Sequence, residues 1–73
     1  MDPETALKAI NDTDNVPRAY RAECLEALAE WLGKGGFMPP GTLTEAACES
    51  LRSEGKVVYE LAISLRQTLE QRS

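Results

Sequence analysis

The chain has no histidine, which removes the side chain that most often moves protons near neutral pH. General acid–base work would fall to Glu, Asp, Lys, Cys or Tyr with strongly displaced pKa values, and 73 residues leave few places to bury such a group. There are only 2 cysteines, so one chain supplies too few ligands for a tetrahedral zinc site. Neither cysteine has a base beside it in sequence. A Cys24–Cys48 disulfide stays open, but both residues sit among Ala and Leu at helical spacing, which favours buried free thiols. No apolar run approaches the roughly 18–20 residues of a membrane span. The opening MDPETALK carries acids where a secretory leader needs bases. These absences predict a cytoplasmic, non-enzymatic protein without cofactor, metal or membrane contact.

Positive charge is also sparse. Eight Lys and Arg face 12 Asp and Glu, for a net charge of −4, and the bases form no run. Counterion release on nucleic acid needs clustered bases, so direct binding is disfavoured. The candidates for a basic recognition face are Arg18 with Arg21, and Arg52 with Lys56. They keep a dimeric DNA-binding regulator as the alternative reading.

What is present is helical patterning. Asp2 suits an N-cap, Pro3 the first helical position, and Ala6, Leu7 and Ile10 form a stripe, predicting helix one over about 3–12. The polar cluster 11–15 reads as a connection. Helix two is expected over about 17–34, with Tyr20, Cys24, Leu25, Leu28, Trp31 and Leu32 on one face. Gly35 or Gly36 can take the left-handed conformation that ends it, and Pro39-Pro40 cannot continue it. Phe37 is placed to fold back onto Trp31 or Leu32.

Thr42 and Glu45 match a capping box at the head of helix three, expected over about 43–71. Its stripe is Leu43, Ala47, Leu51, Val58, Leu61, Ala62, Leu65 and Leu69, in unshifted phase across Gly55. Acids gather early in this segment, while Arg66 and Arg72 lie late, as the helix dipole favours. The unbroken helix is the reading adopted, with a turn at Ser53-Glu54-Gly55-Lys56 as its alternative. Unbroken, it would be about 44 Å long at about 1.5 Å per residue, too long for its neighbours to cover. Val57, Tyr59 and Ile63 widen the apolar face further. A second copy of the chain is therefore expected along helix three.

Few residues suggest a site. Glu23, Glu26 and Glu30 form an acidic ridge that either meets a basic partner or is simply the solvated face of an amphipathic helix. Phe37 and Met38, on the loop, serve either as partner anchors or as a lock around the Gly-Gly corner. Asp12, Asp14 and Glu23 have calcium-loop spacing, but Pro17 stands where that loop needs Gly. Ser50 in Glu49-Ser50-Leu51 lacks the preceding Asp of an acyl-carrier motif and lies inside a helix rather than at its start.

Two segments, DPETALKAI and EALAEWLGKGGFMP, resemble a group of short, largely uncharacterised proteins of bacteriophages, prophages and their bacterial hosts. The likeness spans residues 2–39, through Asp2, Pro3, Leu7, Ile10, Glu26, Ala27, Leu28, Trp31, Leu32, Lys34, Gly35, Gly36, Phe37 and Pro39. It implies a mobile-element setting and transfers no site residue. The expectation is an all-α, three-helix domain: a helical hairpin plus a long C-terminal helix. It would be a small acidic module that binds and modulates or inhibits a host or phage protein, with the partner-binding candidates Glu23, Glu26, Glu30, Phe37, Met38, Val57, Tyr59 and Ile63. A structural or assembly helper is a further alternative.

Overall fold

Asp2 does cap the first helix, its carboxylate accepting from Thr5 N at 2.8 Å, with Pro3 in the first turn. From there the computed structural model, which describes residues 2–71, is all-α. Its elements are α1 (Pro3–Asn11), α2 (Arg18–Gly33), α3 (Glu45–Leu51), a 3-10 turn (Arg52–Glu54) and α4 (Lys56–Gln71). Arg72 lies outside the described residues. The first two helices fall within a residue of expectation, as fraying ends do.

The third expected helix is broken, a correction to the sequence reading. Gly55 adopts φ 117° and ψ 162°, a conformation that L side chains rarely enter, and the chain reverses there. Gly55 is exposed, not inward. The start of the segment shifts as well. Thr44, not Thr42, is the N-cap, its side-chain oxygen accepting from Ala47 N at 3.0 Å. Thr42 instead donates its hydroxyl to the Arg66 carbonyl at 3.3 Å, tying the loop to α4.

The break changes where the leucine stripe goes. Leu43, Ala47, Cys48 and Leu51 pack with Ala62, Leu65 and Leu69 inside the same chain, joined by Ile10 from α1 and by Leu25 and Leu28 from α2. Each fully buried Leu or Ile contributes roughly 1.5–3 kcal/mol. Most of the stripe is hidden by its own fold, with Val58 and Leu61 partly buried, so it does not by itself require a second chain. The radius of gyration, 10.9 Å, is close to the roughly 11 Å of a folded chain of this length.

The buried side of α2 is rotated from the expected one. Arg21, Leu25, Leu28 and Leu32 occupy i, i+4, i+7 and i+11, and this line is the inward centre. Tyr20 and Trp31, expected inside, lie at its edge, 44 % and 37 % exposed. Arg21 is 97 % buried, since only 3 % of it remains exposed. Its Nε donates to the Val16 carbonyl at 3.0 Å and its Nη2 to Ser50 Oγ at 2.7 Å. Nη1 is buried without a hydrogen-bond partner among the described residues. Cys24 and Cys48 are both buried. Burial raises both thiol pKa values and disfavours the reactive thiolate.

Asn11 organises the long loop. Its amide donates to the Thr42 carbonyl at 3.0 Å and accepts from Thr44 N at 2.9 Å, fastening residues 42–44 to the end of α1. This two-way clamp fixes the entry into α3 and hence the position of the corner before it.

Candidate functional site

The corner between α2 and the loop is a helix-ending motif in which two glycines do different jobs. Gly35 takes the left-handed turn at φ 86°. Its N–H donates to the Leu32 carbonyl at 3.1 Å, and Gly36 N donates to the Trp31 carbonyl at 3.0 Å. These are the paired bonds of a Schellman cap. Gly36 is required for space instead: a Cβ there would lie 2.4 Å from the Trp31 ring. The indole therefore rests directly on the backbone of Gly36.

Phe37 folds back onto Trp31, as its position after the helix end implies. The rings meet edge to face at 5.5 Å and 90°, and Trp31 Nε1 donates to the Phe37 carbonyl at 2.9 Å. Phe37 is nonetheless 68 % exposed, and Met38 is exposed beside it, while Pro39 next along the chain is buried. The corner thus holds an aromatic ring and a thioether in solvent on a fixed backbone.

Glu23, Glu26 and Glu30 are all exposed on α2. Glu30 is paired with Lys34 at 2.9 Å, and that hydrogen bond, with the ammonium charge, lowers its carboxyl pKa. Glu23 and Glu26 have no basic side chain within ion-pairing distance among the described residues.

The three candidates on α4 do not share one surface role. Val57 is 79 % exposed in the first turn of α4, two residues after Gly55. Tyr59 donates its hydroxyl to Glu49 Oε2 at 3.1 Å and lies under the Arg52 guanidinium, 4.9 Å from the ring centre. Its phenol pKa is raised, chiefly by that bond to the carboxylate. Ile63 is half-buried against the core. Tyr59 therefore braces the α3–α4 turn and Ile63 packs on the core, while Val57 is the one of the three that stands mostly in solvent.

The possible basic faces are occupied. Arg18 pairs with Glu54 at 2.9 Å, Arg52 with Glu49 at 3.3 Å and Lys56 with Glu60 at 4.0 Å. Arg21 is buried. Lys8 pairs with Glu4 at 3.6 Å, and Arg66 Nε lies 2.9 Å from Glu70 Oε1, an ion pair without hydrogen-bond alignment. Every described Lys or Arg is thus paired with a carboxylate or sealed inside.

Sequence reasoning placed Arg21 on a candidate basic surface and missed its burial, and it missed the role of Asn11 and the separate duties of Gly35 and Gly36. For Arg21 the signal was available, because it continues the Leu25–Leu28–Leu32 line by one step. For Asn11 it was not, since its partners lie more than thirty residues away.

Among the described residues no helix is long and apolar enough to cross a membrane, and no group of His, Cys, Asp and Glu could hold a metal ion. No pocket is found. No family model, curated protein or solved structure matches the chain.

Proposed function

We propose that this chain is a small non-enzymatic interaction module that binds a partner protein through the corner at Phe37 and Met38, with Glu23, Glu26 and Glu30 as a charged rim. The phage setting, and modulation or inhibition of a host or phage protein, rest on the resemblance of residues 2–39 alone. One observation carries the binding surface: Phe37 stays mostly exposed although Trp31 fixes its position by both a ring contact and a hydrogen bond. A side chain already held in place, as Phe37 is, loses little freedom on binding, and Phe and Met are both enriched at protein interfaces. The free carboxylates of Glu23 and Glu26 favour a partner with a basic rim. Nucleic acid is the weaker reading, because the bases it would need are already matched by acids.

The test compares immobilised wild-type chain with the double variant Phe37→Ala, Met38→Ala in capture from bacterial lysate, followed by mass spectrometry. A species retained by the wild type and lost from a double variant of unchanged helical signal supports the corner. Equal retention by both removes it. Replacing Glu23, Glu26 and Glu30 by Lys then asks whether the rim contributes, with a salt-sensitive loss as the expected result.

A further inference from the structure

Two features of the Gly55 region point in opposite directions. The apolar stripe keeps helical phase from Leu51 through Val58 to Leu65, which suits one continuous helix, yet the folded chain reverses at a single residue. We propose that Gly55 is the hinge of an exchanged dimer. In it α4 leaves its own chain and occupies the same place in a second copy, while α3, the 3-10 turn and α4 run on as one helix.

The occupant is a second copy because α4's native contacts define what it fits. Ala62, Leu65 and Leu69 fill a core formed by the other helices. The Arg66 carbonyl accepts from Thr42, and the Ala62 carbonyl lies 3.8 Å from Cys48 Sγ. The Tyr59–Glu49 bond likewise bridges the turn. All of these can form between chains as they do within one, so exchange rebuilds only the 3-10 turn and Gly55.

The hinge has the character that exchange requires. Only Gly55 separates the 3-10 turn from α4, so the connection is as short as a reversal can be. Very short hinges invite swapping. A Cβ at Gly55 would meet nothing within 4 Å, so the constraint there is backbone conformation and not space. Replacing Gly55 by Ala therefore acts on both forms at once. It strains the reversed chain at φ 117° and favours the continuous helix. The corner at Phe37 is not part of the moving element, so an exchanged dimer presents it twice.

The experiment is light scattering after size exclusion, on protein refolded from denaturant at dilute and at millimolar concentration. Wild type refolded at millimolar concentration should give a dimer fraction that persists for hours after dilution, and purely monomeric product overturns the proposal. Gly55→Ala should lower the dimer dissociation constant by about tenfold or more, and a folded Gly55→Ala chain no more dimeric than wild type overturns it. Inserting Gly-Ser-Gly-Ser after Gly55 relieves the short reversal and should return the chain to monomer. A dimer that survives this insertion forms side by side and overturns exchange.

Discussion

Trp31 and Phe37 hold each other by two different contacts: the indole N–H donates to the Phe37 carbonyl at 2.9 Å, and the rings meet at right angles 5.5 Å apart. The first contact fixes the backbone of residue 37 and the second fixes its side chain. Neither contact would form if Gly36 carried a side chain, because the indole occupies that space.

Gly36→Ala is therefore expected to unseat Trp31. A methyl 2.4 Å from the ring cannot be accommodated without moving it, and overpacking of this kind costs typically about 1–3 kcal/mol. Trp31 is the chain's single tryptophan, so its emission should shift to the red as the ring leaves the corner. Gly35→Ala should cost about 1 kcal/mol through its left-handed backbone and leave the emission near that of wild type. Matching spectra for the two variants would contradict this division of labour.

Arg21 is expected to matter for stability by its shape more than by its charge. Arg21→Ala removes a buried side chain and leaves the Val16 carbonyl and Ser50 hydroxyl short of a donor, a loss of about 2–4 kcal/mol. Arg21→Met keeps most of the volume and removes a buried charge that has no carboxylate partner among the described residues. It should cost clearly less, because the packing is largely kept and no charge is left to bury. Urea unfolding of the two variants decides the point, and a Met variant as unstable as the Ala variant would show that the guanidinium itself is required.

Asn11→Ala should destabilise the chain by about 1–3 kcal/mol, since it cuts both hydrogen bonds that fasten residues 42–44 to α1. Thr44→Ala should cost about 1 kcal/mol as a lost helix cap. Thr42→Ala, losing one long bond of 3.3 Å, should cost less than Thr44→Ala. The reverse order in chemical denaturation would return the cap to Thr42, where the capping-box pattern had placed it.

The contrast between the two threonines marks how far the sequence could be read. Asp2, Pro3 and the Gly-Gly-Phe corner act through neighbours within a turn or two, and their local chemistry sufficed to place α1, the end of α2 and the Phe37–Trp31 contact. The Thr42–Glu45 spacing satisfied the same kind of rule, yet Asn11, far away in the chain, draws Thr44 into the cap instead. Gly55 failed for a related reason. Hydrophobic phase reports which side of a helix is apolar but not whether the helix continues, and a lone Gly costs a helix only about 1 kcal/mol. Burying both halves of the stripe against each other outweighs continuity in the folded chain. The candidate site divides in the same way. Phe37 and Met38 were visible as loop residues, whereas the bond of Tyr59 to Glu49 depends on a turn that the adopted sequence reading did not contain.

Titration should reveal separate losses at the two ends of the pH scale. Asp2 accepts from the backbone N–H and the hydroxyl of Thr5, chiefly the former, and its pKa is held below the ordinary 3.8. A carboxyl depressed on folding adds stability above its unfolded pKa and loses it as the pH falls through the folded value. Its contribution is therefore complete at neutral pH and disappears in acid below about 3.8. Asp2→Asn retains a capping oxygen but cannot titrate, so the difference in melting temperature between variant and wild type should change only across that acid range. Tyr59 has the opposite sign. Its pKa is raised above the ordinary 10.0 by the Glu49 carboxylate that accepts its proton, so its contribution is complete below that value and is lost as the pH rises through the folded one. In Glu49→Gln the acceptor charge is gone, and the phenolate absorbance of Tyr59, obtained by difference against Tyr59→Phe, should appear at lower pH than in wild type. An unshifted Tyr59 titration in Glu49→Gln would mean that the bond across the α3–α4 turn is not formed in solution, and with it would go the main polar restraint on the Gly55 reversal.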